Sequence, residues 1–520
     1  MNPVELNLFA SRIAAVCDEM GSVLKRTAFS PNIKDRLDFS CAVFDSAGAL
    51  CAQAAHIPVH LGSMAFAMAG IVGSRQWQDG DVLILNDPYL GGTHLPDVTV
   101  VTPVYTRTGT TDEPSTGIQG FVVNRAHHAN IGCDTPGSMP VSASLEEEGL
   151  IIPPTLLRRN GEWQPDALQL LGFTPSGPDG DFAAQCSANS VGAERLRRLI
   201  AGIGTPAYRQ GLQALNHYAD RLARHGLRIL RPGTYRFADC LDDDGRGHND
   251  IRIHVTATVS CTGINLDFTG SDDQVEGNLN CPRSVTAAAA YYCLRCLMPA
   301  TVPACAGAFK RIHIITRPGS LVDARRPAAV AAGNVETSTR LVDVIFGALA
   351  AALPEVIPAA SQGSMNNIAM GYIDSATGER WDYYETLGGG MGGGPRQTGL
   401  HGVHSHMTNT LNTPVESLET HYPLRVRRYA LRRDSGGTGL HPGGEGVERE
   451  FEFLSATRVS LLTERRRHRP WGLAGGGDGA PGVNLLNGKM LPGKCSFTVK
   501  AGDRLLIESP GGGGWGSPPG

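Results

Sequence analysis

His94 and Asp97 stand three residues apart in "NDPYLGGTHLPDVTVVTPV" (86–104), after a Pro/Gly turn and before a run of β-branched residues. Gly91 and Gly92 permit a sharp bend or a close backbone approach. "VTVVTPV" reads as a strand, so the His and the Asp sit at its entrance on a rigid support. One imidazole and one carboxylate do not hold a metal by themselves. A further ligand is available at "NRAHHANIG", where His127 and His128 end another strand. Strand side chains alternate between faces, so one of that pair can join His94 and Asp97 while the other points away. Two imidazoles and a carboxylate suit Zn2+, Mn2+ or Fe2+, with positions left open for water or substrate. HxxD and HH are short patterns, however, and polar turn residues produce them too.

A second polar cluster fills "GLHGVHSHMTNTLNTPVESLETHYPLRV", with His401, His404, His406, Asn409, Asn412, Glu416, Glu419 and His421. Four histidines in one short stretch suit proton transfer or binding. The bland alternative is a solvated loop before a helix that starts near Thr413–Pro414. "DRLDFS" and "HIPVHLGSM" add Asp38, His56 and His60, and "AAGNVETSTRLVDVIFGAL" places Asn334 and Glu336 ahead of a buried helix.

The elements that must position these residues follow from periodicity. Leu6, Phe9, Ile13, Val16, Met20 and Val23 recur at helical steps, so residues 3–25 read as an amphipathic helix. "DFSCAVFDSAGALCAQ" alternates and turns at Ser46–Gly48, a hairpin. A helix after "HIPVHLG", the strand "DVLILN", a surface loop at "TRTGTTDEPSTG" and the strand "IQGFVVNRAHH" come next. An Arg-laced helical stretch covers about 185–226, strands alternate over 235–270, and helices are expected at 282–298 and 335–353. From about residue 424 short β runs alternate with Gly and Pro. The fold class is therefore mixed α/β (α+β) and multi-domain, with a β-rich C-terminal region. The expected division is 1–205, carrying the metal candidates, 206–423, and 424–520.

A chain of 520 residues exceeds one hydrophobic core. Its net charge of −4 gives no electrostatic case for nucleic acid. The N-terminus lacks a signal-peptide pattern and no apolar run reaches membrane-spanning length, so a cytoplasmic chain without a membrane role is expected. The twelve cysteines then read as thiols, and Cys293 and Cys296 as core packing in a helix. Glycine makes up 65 residues, one in eight, clustered in "GGGMGGGP" and "SPGGGGWG". Such clusters mark special backbone positions. "GGGMGG" has no helix directly after it, and "GKMLPGKC" has Cys495 where a phosphate loop needs Ser or Thr, so neither reads as an ATP site.

Seven stretches in order, "TAFSPNIKDRLDFSCAVFD", "AQAAHIPVHLGSM", "NDPYLGGTHLPDV", "RAHHANIG…PGSMP", "GNVETSTRLVDV", "HMTNTLNTPVESLE" and the terminal "PGGGGWG", resemble the hydantoinase B/oxoprolinase family over nearly the whole chain. That family includes the B-type component of ATP-dependent N-methylhydantoinase, the C-terminal half of 5-oxoprolinase and the α component of acetone-type carboxylases. The resemblance implies a hetero-oligomer with a hydantoinase A-type subunit, which carries ATP and Mg2+ and phosphorylates the substrate. In its carboxylase branch the resemblance also implies one divalent metal in this chain, at His94, Asp97 and His127 or His128, and Zn2+ or Mn2+ is the expected ion. Asn130 departs from the Asp common after "HHA" in the family.

The expected activity is hydrolysis of a five-membered cyclic amide, a hydantoin or 5-oxoproline. His404, His406 and Glu416 are the candidate acids for the leaving nitrogen. A carboxylase component acting on a ketone-derived enol phosphate, and a non-catalytic scaffold for the ATP-binding partner, are the alternatives.

Overall fold

Asn2 opens the first helix with a reciprocal cap: its side chain accepts from Glu5 N (2.9 Å), and Glu5 Oε2 accepts from Asn2 N (2.8 Å). The computed structural model describes residues 1–54, 57–106, 117–373 and 380–518. His56 and residues 107–116 of the expected surface loop lie outside them. The chain separates into two units, each assembled from three separate segments. The first comprises Met1–His128, Ile151–Arg228 and Leu294–Ile312; the second comprises Ala129–Leu150, Ile229–Cys293 and His313–Gly520. The expected cuts at 205/206 and 423/424 coincide with none of these boundaries. Composition and periodicity locate elements along the chain, but they carry no information on a chain that leaves a unit and returns.

The first unit holds helices α1 (Pro3–Thr27), α2 (Pro31–Lys34), α3 (Pro58–Gly73), α4 (Pro165–Leu170), α5 (Gly180–Ile203) and α6 (Thr205–Gly226). Its strands are β1 (Phe39–Asp45), β2 (Leu50–Ala54), β3 (Val82–Leu85), β4 (Asp97–Tyr105), β5 (Ile118–His127), β6 (Thr155–Arg159) and β7 (Glu162–Trp163). They form one antiparallel sheet in the order β2-β1-β5-β4-β3-β6-β7. Both faces are covered. Phe39, Cys41, Val43, Val122 and Ala126 pack on Ile13, Val16 and Met20 of α1 and on Ala188 and Leu196 of α5. Ala42, Phe44, Val101, Phe121 and Val123 face Met64, Met68 and Ile71 of α3. A sheet buried on both sides explains why these strands carry so few charged residues. The expected helical stretch over 185–226 is two helices, broken at Gly204 (φ +83°).

In the second unit, β8 (Gly233–Asp243), β9 (Asn249–Val259), β10 (Ile264–Asp267) and β11 (Ile312–Ile315) make a four-stranded sheet. Helix α7 covers Arg283–Cys296, and the short α8 (Ala306–Phe309) belongs to the first unit. Helix α9 (Ser338–Ala350) packs on β8 and β9 and is preceded by a π turn, Gly333–Thr337. The β-rich region runs through β12 (Asn367–Ile373), β13 (Arg380–Glu385), α10 (Val415–His421), β14 (Leu424–Arg432), β15 (Gly446–Phe453), β16 (Thr457–Leu462), β17 (Val483–Leu486), β18 (Lys489–Met490), β19 (Lys494–Val499) and β20 (Arg504–Glu508). Two sheets, β13-β12-β16-β19 and β14-β15-β20-β17-β18, share one core of Ile368, Met370, Phe451, Val459, Leu461, Leu505 and Ile507.

The glycine clusters interlock backbone to backbone. Gly393 N donates to Gly513 O, Gly444 N to Met391 O and Gly512 N to Gly444 O, at 2.8–2.9 Å. A Cβ on Gly512 would stand 2.1 Å from Met391 O, so no other residue fits there. The phosphate-loop look-alike is also structural: Lys494 is buried on β19 and paired with Glu464 at 2.6 Å.

Beside that pair, Glu336 is buried in the π turn, where Oε1 accepts from Met365 N (2.9 Å) and Asn367 Nδ2 (2.6 Å). Burial, reinforced by the nearby Glu464, pushes its carboxyl from 4.5 to about 7. A raised acid binds its proton in the fold where the unfolded chain has released it. Its contribution to stability is therefore fully present below about 4.5 and is lost as pH rises towards about 7. Glu336→Gln mimics the neutral form. Its unfolding free energy should match wild type near pH 4.5 and exceed it at pH 8, by an amount on the order of 1–3 kcal/mol. Thermal melts with the same offset at both pH values would contradict this reading.

Candidate metal centre

Strand register brings the first cluster together. Asp97 pairs with His127 across β4 and β5, and Thr99 pairs with Arg125. On the other side of β5, Ser40 pairs with Arg125, and Asp38 O accepts from His127 N at 3.0 Å. Alternation turns Asp97, Thr99, Arg125 and His127 towards α3. The turn before β4 supplies His94. Gly91 adopts φ +117°, and a Cβ on Gly92 would lie 2.2 Å from Asn86 O, so both glycines are required by the bend. Asn86 fixes the loop by donating from Nδ2 to Leu95 O (2.8 Å) and accepting from Ile152 N (2.7 Å).

His94 Nε2 and His127 Nδ1 both reach Asp97 Oδ1, at 3.1 and 3.2 Å, and all three side chains are buried. One donor atom from each lies within 4.8 Å of the other two. Ligand atoms around a tetrahedral ion with bonds of ~2.0–2.1 Å stand ~3.3 Å apart, so this donor set fits a divalent metal. The second oxygen of Asp97 is held from outside the triad: Oδ2 accepts from Thr93 Oγ1 at 2.6 Å and lies 3.2 Å from His60 Nε2. His60 also lies 3.9 Å from Asp38 and 3.4 Å, through Nδ1, from Ser40 Oγ. Such outer contacts orient ligands and tune their basicity.

Burial alone would raise the Asp97 carboxyl, but His94, His60 and the bond from His127 outweigh it and hold the group well below the usual range. Burial lowers His127, against the opposing pull of Asp97. An ionised carboxylate beside a neutral imidazole is the protonation state that ligation requires.

His128 takes the other face. Its Nε2 donates to Gln185 Oε1 on α5 (2.9 Å), and its ring rests on Phe182 with centroids 4.2 Å apart. Gln185 in turn donates to Val98 O and Asn124 Oδ1, both at 2.8 Å. His128 thus ties α5 to the sheet, while His127 joins His94 and Asp97.

The hydantoinase B/oxoprolinase family model matches residues 2–518. The chain belongs to that family. It is 38% identical to 5-oxoprolinase 1 of Arabidopsis thaliana over 99% of its length, spanning 42% of that protein. It is 30% identical to the putative B-type component of a D-/L-hydantoinase from a Pseudomonas strain, with 100% and 90% of the two chains covered. Its fold is similar to the crystal structure of an ATP-dependent caprolactamase from Pseudomonas jessenii, with a TM-score of 0.89, 26% identity, and 99% and 91% of the two chains covered.

The second polar cluster of this family member disperses into local structure. His401 Nδ1 accepts from Glu445 N, Glu419 accepts from Val426 N, and His421 Nδ1 lies 2.7 Å from Ser417 O. Glu416 is exposed in the first turn of α10. His404 Nδ1 stands 3.5 Å from Thr408 Oγ1. His406 differs from the rest. It adopts a left-handed backbone (φ +62°), and its Nε2 lies 3.5 Å from Asp343 Oδ1, whose other oxygen accepts from Arg465 Nη2 at 2.6 Å. Asn130, the departure from the family pattern, is exposed and accepts from Gly132 N (2.8 Å), a turn role that Asp would fill equally. No helix among the described residues is long and apolar enough to cross a membrane.

Proposed function

We propose that this chain is the ring-opening component of an ATP-dependent cyclic-amide hydrolase. Its substrate is a five-membered ring, a hydantoin or 5-oxoproline, and it works with an A-type partner that binds ATP and Mg2+. The observation that carries this reading is the buried His94–Asp97–His127 triad in a chain of this family. The Pseudomonas relative, named as one component of a hydantoinase, supports a separate partner. The much longer Arabidopsis relative supports the same pairing within one polypeptide.

A cyclic amide resists water because its carbonyl carbon is poorly electrophilic and water is a weak nucleophile. Phosphorylation by the partner addresses the first problem. A divalent ion, Zn2+ or Mn2+, held by His94, Asp97 and His127 would address the second by lowering the pKa of water to ~7. Asp97 contributes the negative charge of the site, Thr93 and His60 hold its outer oxygen, and Asp38 borders His60. Among the proposed catalytic side chains His404, His406 and Glu416, the Asp343–Arg465 backing favours His406 as the proton-transfer group.

The deciding experiment is co-purification with an A-type partner and measurement of ADP release against hydantoin, 5-oxoproline and caprolactam. A five-membered ring should stimulate turnover and yield the ring-opened acid. ATP turnover driven only by a ketone with bicarbonate would replace this reading with the carboxylase one. In the same assay His406→Asn should lower kcat while leaving the metal content unchanged; unaltered kcat would remove His406 from the mechanism.

A further inference from the structure

One buried side chain touches every element that carries a member of the metal centre. Arg125 is 1% exposed, and its guanidinium reaches three partners. Nε donates to Thr99 Oγ1 on β4 (2.8 Å), Nη1 to Ser63 Oγ on α3 (2.6 Å), and Nη2 to Gly91 O in the turn (2.9 Å). Each contact lies close in sequence to a site residue. Thr99 is two residues beyond Asp97 on the same strand face, and Ser63 is one helical turn beyond His60. Gly91 is three residues before His94, and Arg125 itself is two residues before His127 on the same face of β5.

We infer that Arg125 is the positioning residue of the metal centre, setting the mutual placement of His60, His94, Asp97 and His127 before any ion arrives. The inference rests on the metal reading above for what the placement serves. Only arginine supplies this fork. Its five N–H donors lie in one rigid plane, so three acceptors on three elements are fixed relative to one another; a lysine ammonium is a single point on a flexible stem. Ser63 keeps its place independently, because its hydroxyl lies 2.7 Å from Val59 O and 3.0 Å from His60 O within α3. Asn86 anchors the far end of the same turn at Leu95 O, and the guanidinium holds its near end at Gly91 O, the end closest to β5 and α3.

Two measurements on the full-length chain test this. In the first, metal-depleted wild type, Arg125→Lys and the double variant Ser63→Ala/Thr99→Val are titrated with Zn2+ and Mn2+ by calorimetry. Affinity should fall ~10–100-fold in Arg125→Lys and by less in the double variant, as for other residues that orient ligands from outside. In the second, amide hydrogen exchange is followed without metal. Residues 91–97 should exchange faster in Arg125→Lys, while the β1 and β5 amides remain as protected as in wild type. Wild-type affinity together with wild-type exchange at 91–97 would overturn the inference. Exchange that quickens across the whole unit would also overturn it, since Arg125 would then be a general core contact. Failure of the wild type to bind metal would sink the metal reading alone, and the exchange result would still decide the role of Arg125.

Discussion

Asp97→Asn should empty the centre and stop turnover. Asp97 is the one acidic member of the triad, and both imidazoles reach it through Oδ1. The amide keeps the shape but removes the charge and presents a nitrogen to one of its neighbours. His94→Ala should behave similarly, because two protein ligands hold an ion poorly. For both variants the expected outcome is metal binding weakened by more than ~100-fold and kcat in the partner-driven assay reduced by roughly 1,000-fold or more. Circular dichroism should show the fold retained. Elemental analysis that finds as much metal in either variant as in wild type would exclude that residue as a ligand.

The second large effect separates two adjacent histidines. His127→Ala should lose the metal and the activity, because its ring serves the triad. His128→Ala should keep the metal and lose stability instead. Its removal leaves Gln185 Oε1 without the imidazole it accepts from and opens a gap beside Phe182. A buried hydrogen bond and ring contact of this kind are worth about 2–4 kcal/mol. The check is a paired measurement of metal content and unfolding midpoint on each variant. Loss of metal from both, with both folded, would mean that His128 also reaches the ion and that the alternation of β5 does not govern the centre.

That alternation is why the core of the centre was legible in the sequence. His94 and Asp97 follow an obligatory Gly turn, and His127 and His128 end a strand whose period is two, so few arrangements were open. Asp38 and His60 were visible as polar residues near the right stretches. The meeting of His60 with Asp97, and with Asp38 beside it, depends on how α3 lies across the sheet, which no local pattern records. Arg125 gave no signal at all: within "FVVNRAHH" it reads as an ordinary strand residue, and its role exists only once β4, β5, α3 and the turn converge. The 401–421 cluster shows that nearness in sequence is not nearness in a site. Residues close in sequence suggested one site, yet His401, Glu419 and His421 serve neighbouring backbone atoms, and His406 pairs with Asp343, more than sixty residues away. The helices and strands were recovered because their periods are local; the two interleaved units were not, because re-entry of a chain leaves no mark on composition.

The central claim is that His94, Asp97 and His127 together hold one divalent ion. The most direct test is pulsed electron paramagnetic resonance of the metal-depleted chain reconstituted with one equivalent of Mn2+. Nitrogen couplings from two imidazoles are expected in wild type and in His128→Ala, falling to one in His94→Ala and in His127→Ala. A spectrum of hydrated Mn2+ without imidazole nitrogen, or a wild-type pattern that survives in His94→Ala, would contradict the claim.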